Sequence, residues 1–413
     1  MVEKFKNTEI GEYPNDWIVE DFGEIISSVQ LGGNYPNNDE DGEFILIKMG
    51  NLNRGYIDLK KKYYIKKGIT PNEIDRLHFG DVIFNTRNTL DLVGKVAIWK
   101  NEINPAFFNS NIMRIKFNEE KISSNDFMNL ILNTPNSLYQ LRGIATGTTS
   151  VAAIYPRDLF KIKIPLPTKA EQTAIATALN DADALIQKLE QLIAKKRNIK
   201  TGAMQELLKP KEGWEWTTVD KLGKPFGGLS GKAKADFKDG NCPYIPFMNV
   251  MSNPIIDTTY FDYVKITPTE SQHKAEKGDL FFNGSSETPE EVGMCSVLLE
   301  DIPNLYLNSF CFGFRLFKEQ KNNGLYLAYF FRSSYGRKIF YILAQGATRH
   351  NLSKSNFLKI EIQIPEPDEQ VKIATILRDI DDEIQELEKQ LEKYKMIKQG
   401  MMQSLLTGKI RLV

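Results

Sequence analysis

The chain is 413 residues long, with 41% hydrophobic and 26% charged residues, and its 53 basic and 53 acidic side chains leave no formal net charge. Such a composition excludes disordered and collagen-like classes, and the length exceeds the roughly 100–200 residues of one domain, so two or more cores are expected. A protein that grips nucleic acid alone and without sequence preference is usually basic; if DNA is the ligand here, a partner is expected to supply part of the phosphate contact.

The opening "MVEKFKNTEIGEYPNDW" has no apolar signal core, and no later stretch reaches the ~20 apolar residues of a membrane span, so a cytoplasmic location without a membrane partner is expected. Short runs rich in Ile, Phe, Tyr and Val follow, punctuated by Gly, Asn and Pro, the pattern of strands and turns. Among them are "PNDWIVEDFG" (Pro14 to Gly23), "IKMGNL" (Ile47 to Leu52), "GDVIFNT" (Gly80 to Thr86) and "FFNSN" (Phe107 to Asn111). Ser124 to Leu141 reads as helix, and "GTTS" (Gly147 to Ser150) as a loop. After "KIKIPLPTKAEQ", a long helix is predicted to begin just past Pro167, because proline and its predecessor resist helix. Its apolar residues, Ile175, Leu179, Ala182, Ile186, Leu189 and Ile193, alternate in steps of four and three, which is a heptad seam.

The second half then repeats the first. Glu171 and Gln172 reappear as Glu369 and Gln370, an offset of 198 residues. "TAIATALNDADALIQKLEQLIAKKRNIKTG" (Thr173 to Gly202) matches the stretch ending "KIATILRDIDDEIQELEKQLEKYKMIKQG" (Lys372 to Gly400). The second seam runs Ile373, Leu377, Ile380, Ile384, Leu387 and Leu391, after the entry "EIQIPEPDEQ" and Pro367. Each helix is predicted at about 40 residues, roughly 60 Å at ~1.5 Å per residue. An isolated seam leaves an apolar stripe in water, and about 160 intervening residues suffice to return the chain, so an antiparallel pair is expected; the alternative is that each helix packs on its own domain. Islands before the helices also correspond: "PKEGWEWTTVDKLG", "IPFMNV", "GDLFFNG", "YLNSF" and "GATR" answer the earlier strands in order, and Leu325 to Phe340 reads as the second domain's helix. The loops between them differ, since "LGGNYPNNDED" and "FGGLSGKAKADFKDG" share only paired glycines. One scaffold presenting two unlike surfaces is the reading.

The expected architecture is therefore α/β (α+β). Residues 1–167 and 209–365 form two mixed α/β domains; 168–208 form a central long helix, and 366–413 a C-terminal long helix and tail. The whole is a pseudo-two-fold internal repeat around an antiparallel two-helix coiled coil. This pattern resembles the specificity (S) subunit of type I DNA restriction-modification systems. The likeness rests on "EQTAIATAL" and "EQVKIATIL" opening the helices, "GAMQELL" and "GMMQSLL" closing them, the "GD" turns, and the ending "LLTGKIRL". It implies two target-recognition domains, each reading one half of a split double-stranded DNA sequence, with the helices setting the gap. It also implies two DNA adenine methyltransferase subunits docked on the helices and two translocating restriction subunits in the full complex. Catalysis would belong to those partners, and this chain would be no enzyme and need no cofactor.

The residues agree with that division of labour. Asn104-Pro105 and Asn253-Pro254 are followed by Ala106 and Ile255, so no adenine methyltransferase motif is present. "GGLSGKA" (Gly227 to Ala233) lacks P-loop spacing, and His78, His273 and His350 are scattered without metal-ligand companions. Cys242, Cys295 and Cys311 lack CxxC spacing and read as buried thiols.

Sequence readout requires side chains that pair with base edges, chiefly Arg or Lys on guanine and Asn or Gln on adenine. The first domain offers Gln30, Asn34 and Tyr35; Asn85, Arg87 and Asn88; and Thr148, Thr149 and Ser150. The second offers Ser230, Lys232 and Lys234; Asn283, Ser285 and Ser286; and Thr348, Arg349, His350 and Asn351. Each is also the kind of residue that caps a turn or touches phosphate, so the clusters carry the expectation. "KKKYYIKK" (Lys60 to Lys67) is a phosphate contact or a solvated run. The remaining alternative is a two-domain coiled-coil scaffold for protein partners without DNA readout.

Overall fold

"VIF" and "VAI" are apolar without interruption and "IMRI" is broken only by Arg114, and both of their faces are covered, as such apolar strands require. In the computed structural model, which describes residues 5–344, 346 and 350–412, they form the central sheet of the first of two units. That unit holds the chain up to Lys188 together with the segment from Leu391 onward; the second runs from Leu189 to Gln390.

In the first unit, β1 (Ile26–Leu31), β2 (Val82–Asn85), β3 (Arg87–Asn88), β4 (Val96–Ile98) and β5 (Ile112–Phe117) precede α1 (Asn125–Leu132) and α2 (Pro135–Ile144). The sheet is antiparallel in the order β4-β2-β5-β1. Alternate residues part to its two sides. Val82, Phe84, Val96, Met113 and Ile115 join the helix-side core with Phe127, Met128 and Ile131. Ile83, Ala97 and Ile112 join a second core against Ile45–Ile47 and Ala106–Phe108, which pair in parallel.

The stretch from Ser124 to Leu141 is two helices rather than one. Asn133 donates its amide back to Asn129 O (2.8 Å) and across to Val96 O (3.1 Å). Thr134 then caps the next helix, whose first residue is Pro135, a residue without the N–H that a continuous helix would need.

Two short strands, β6 (Thr146–Gly147) and β7 (Ala152–Ala153), lead to α3 (Lys169–Leu207). The second unit repeats the plan with β8 (Gly223–Gly227), β9 (Leu280–Asn283), β10 (Ser285–Ser286), β11 (Cys295–Val297) and β12 (Cys311–Leu316). There follow α4 (Gly324–Arg332), α5 (Ser334–Leu343), β13 (His350–Asn351) and α6 (Pro367–Leu405). Its sheet order is β8-β12-β9-β11, the same topology. Here the helix also breaks, where Ser333 caps α5. The core is more aromatic: Phe282 touches the rings of Phe312, Phe331, Phe340 and Phe357. Cys295 and Cys311 are buried and Cys242 half-buried, all as free thiols; burial pushes the Cys311 thiol up to about 12.

Each unit contains one end of each long helix, and within each the helices pair. In the first, Asp183 of α3 meets Lys398 of α6. In the second, Lys196 meets Glu383 (2.7 Å), Arg197 meets Glu388 (2.6 Å) and Lys200 meets Asp381 (2.5 Å). Lys196 with Glu383 and Lys200 with Asp381 step up α3 and down α6, so the helices are antiparallel. Half-exposed pairs of this kind contribute about 0–1 kcal/mol each; their role is to set register and direction, as flanking charges do in coiled coils. The seam residues of both helices are buried or half-buried.

The shared helix-opening and helix-closing motifs have a physical role. Gln172 donates to Pro167 O (3.1 Å) and Lys121 O (3.0 Å), while Gln370 donates to Pro365 O (2.8 Å) and Asn322 (3.0 Å). Each glutamine thus ties the preceding strand to the loop before the short helices. At the far ends, Met204, Leu207 and Leu208 enter the second unit's core, and Met402, Leu405 and Leu406 enter the first unit's. Among the described residues no helix is long and apolar enough to cross a membrane.

Candidate nucleic-acid interface

The sheet topology collects loops at one edge of each unit. In the first, Asn85 at the end of β2 lies opposite Ile112 at the start of β5, and Met113 lies opposite Leu31 at the end of β1. The loops after β1 and β2 therefore open on the same side. Gly32 lies so close to Phe108 O that a Cβ would collide with it, and Gly228 stands in the same relation to Asn308 O. That close approach is what the paired glycines of the two unlike loops share.

β3 pairs with β7, and β7 with β6, so Arg87 and Asn88 sit beside the hairpin that carries Thr148, Thr149 and Ser150. Leu90 N donates to Thr149 O (3.2 Å) and Ile154 N to Thr86 O (3.0 Å). Two clusters about 60 residues apart in sequence thus become neighbours. The second unit does the same: Ser285 pairs with Asn351 and Ser286 with His350, and Leu352 N donates to Gly284 O (2.9 Å). Thr348 and Arg349 lie outside the described residues.

Individual side chains divide into presented and committed. Arg87, Thr148, Thr149 and Ser150 are exposed and Asn88 half-buried; Val151, at the hairpin tip, is 68% exposed. Asn34, Lys234 and Asn351 are exposed as well. Asn85 is wholly buried, donating to Leu92 O (3.3 Å) and accepting from Arg87 N (3.2 Å). Asn283 is its counterpart, donating to Glu291 O (2.8 Å) and accepting from Met294 N (2.6 Å). These asparagines shape the loop that follows. Gln30 donates to Asp75 (2.9 Å) and accepts from Arg114 (2.5 Å), and the Tyr35 hydroxyl donates to Asp75 (2.6 Å). Lys232 donates to Lys265 O (2.6 Å) and to the Glu270 carboxylate, whose pKa this ammonium holds down at about 2. Ser230 is clamped through its backbone by Gln272, and the Ser286 hydroxyl donates to Glu291 (2.7 Å).

The shared "GD" turn supports this edge from behind. Asp81 accepts from His78 N (2.9 Å) and pairs with Arg114 (3.1 Å); Asp279 accepts from Glu276 N (2.7 Å) and pairs with Arg315 (2.7 Å). The basic run is partly neutralised at home, Lys61 by Asp39 (3.2 Å) and Lys67 by Asp41 (2.5 Å). Sequence reasoning missed Phe310, 56% exposed in the turn just before β12, whose carbonyl accepts from Gly284 N (2.9 Å). An aromatic ending the "YLNSF" turn was its signal. Among the described residues no three His, Cys, Asp or Glu side chains gather as a metal site.

Two matches of one family, described as the type I restriction modification DNA specificity domain, cover residues 14–196 and 211–394. The chain belongs to this family. The MjaX type I restriction enzyme specificity subunit of Methanocaldococcus jannaschii is 27% identical over 99% of this chain and 97% of its own length. The MjaVIII specificity subunit of the same organism is 24% identical over 99% and 96%. Among solved structures, the type I system S subunit from M. genitalium covers 98% of this chain and 99% of its own, with a TM-score of 0.57 at 14% identity. A chain from work on complex assembly of the type I R-M system covers 96% and 99%, with a TM-score of 0.53 at 15% identity. The mixed two-domain fold with its paired long helices is thus the specificity-subunit fold. The chain is a specificity subunit, a DNA-recognition component rather than a catalytic one, and the protein-scaffold alternative is not favoured.

Proposed function

We propose that each domain of this specificity subunit reads one half of a bipartite DNA target, while the two long helices fix the gap. On this reading residues 1–167 and 209–365 are the recognition domains, and 168–208 with 366–413 form the spacer. Two adenine methyltransferase subunits dock on the helices, and two restriction subunits complete the complex. The observation that carries the reading is the meeting, in each unit, of loops distant in sequence on one sheet edge. Arg87, Asn88 and Thr148–Ser150 stand at the first edge, His350 and Asn351 beside Ser285 at the second. Arg87 and Asn88 follow β2 where Ser285 and Ser286 follow β9, so the half-sites should differ.

Selection from a random duplex pool, with and without the methyltransferase subunits, is expected to enrich a split motif. Absence of any enriched motif under both conditions would overturn the reading. Within it, Arg87→Ala should cost about 1–3 kcal/mol of binding and relax one half-site while the other is kept. Equal loss on every sequence would make Arg87 a phosphate contact instead.

A further inference from the structure

The two units differ where the globular part meets the helix pair. α1 and α4 correspond at an offset of 199 residues, which sets Leu130 against Tyr329 and Asn133 against Arg332. In the second unit Tyr329 is wholly buried. Its hydroxyl donates to Asp381 (2.8 Å), its ring centroid lies 5.7 Å from the Lys200 ammonium, and Lys200 pairs with Asp381. Arg332 fills the adjoining space, donating to the carbonyls of Val250 (2.6 Å), Met251 (3.0 Å) and Asn253 (2.8 Å).

The first unit keeps the acid and the base of this arrangement, as the pair Asp183 and Lys398. It has Leu130 where Tyr329 stands and Asn133 where Arg332 stands, while Arg54 and Tyr56 of another loop line the space from a different side. In the place of the Tyr329 ring is a cleft of about 370 Å³ whose lining includes Arg54, Leu130, Asn133, Asp183, Lys398 and Met402. Two of those residues carry buried polar atoms without a hydrogen-bond partner among the described residues, Arg54 Nη1 and Asn133 Oδ1. Buried donors and acceptors are ordinarily satisfied, and this pair offers one of each.

We propose that this cleft is a binding site for a small planar aromatic group bearing a hydroxyl, the group that Tyr329 supplies in the second unit. The reasoning is chemical. Asp183 accepts from a hydroxyl as Asp381 does, Lys398 faces an aromatic ring as Lys200 does, Leu130 and Met402 supply apolar wall, and Arg54 and Asn133 discriminate among ring substituents. The occupant is a free phenol or a tyrosine side chain of a partner protein. The inference does not depend on how the sheet edges read DNA.

The probe is 4-methylphenol, titrated into the full-length subunit by calorimetry and located by crystal soaking. Saturable binding in the cleft is expected, weakened at least about tenfold by Leu130→Tyr, which should also raise Tm by filling the space from within. Leu130→Phe serves if the tyrosine variant folds poorly; it blocks the cleft without bringing a second hydroxyl. Asp183→Asn should weaken 4-methylphenol and leave toluene unchanged, a split that a merely structural role would not produce. Retention of the probe site in the complex with the methyltransferase subunits identifies a free ligand, and its loss identifies a partner side chain. Absence of saturable binding, or equal affinity in wild type and both Leu130 variants, overturns the proposal.

Discussion

Lengthening both long helices by one heptad, after Ile193 in α3 and after Glu388 in α6, should widen the gap in the methylated DNA motif by about three base pairs and leave both half-sites intact. Seven residues add about 10.5 Å of helix, and duplex DNA rises ~3.4 Å per base pair. The insertion must be whole and matched. Four residues after Ile193 alone add about 6 Å, but they also rotate Leu189 and Ile193 out of phase with the rest of the seam. Lys196, Arg197 and Lys200 would then lose Glu383, Glu388 and Asp381. A heptad in each helix preserves seam and charge register together. Sequencing of methylated DNA from cells carrying the variant with its methyltransferase gives the spacing directly. An unchanged gap with both half-sites recognised would defeat the spacer role of the helices.

Replacing Arg411 by Ala should destabilise the first unit by about 3–5 kcal/mol, because it strands a buried carboxylate. Arg411 Nε and Nη2 donate to Glu171 (2.6 and 2.8 Å), whose side chain has no exposed surface; Nη1 and Nη2 also donate to Asp16 (2.9 and 2.7 Å). Trp17 Nε1 is a further donor to Glu171, at 3.2 Å. These bonds raise the guanidinium's pKa above its ordinary value and hold Asp16 below the usual carboxylate range. The sign of the pH dependence follows. A depressed carboxylate stabilises the fold above its unfolded pKa, about 3.9, and the contribution disappears as pH falls through the folded value. The share of the Arg411→Ala deficit that Asp16 carries should therefore be full at neutral pH and shrink in acid. Adding Glu171→Gln should recover part of the deficit. Urea unfolding of the full chain across pH checks both; a deficit below about 1 kcal/mol at pH 7 would mean that the Arg411 network contributes no more than an exposed ion pair.

The repeat, the helix seams and the strand islands were legible because they are local: a period of seven or two is written in neighbouring residues. Even the break between α1 and α2 had its signal in the Asn-Thr-Pro run at residues 133–135. What residue type does not reveal is which way a polar side chain turns. Gln30 and Asn85 have the chemistry of base readers, yet their partners, Asp75, Arg114 and Leu92 O, arrive from elsewhere in the fold. Arg87 and the Thr148–Ser150 hairpin were found as separate clusters, and only the pairing of β3 with β7 joins them. The cleft beside Leu130 was invisible for a related reason: it appears only when one repeat is compared with the other in three dimensions.

Because Leu405 and Leu406 complete the core that begins at Tyr13, the first unit cannot finish folding until a segment from beyond the whole second unit arrives. Contacts spanning nearly the whole chain slow folding through the entropy of closing so large a loop. On refolding from denaturant, the first unit should thus stay protease-sensitive until the segment from Leu391 onward has docked.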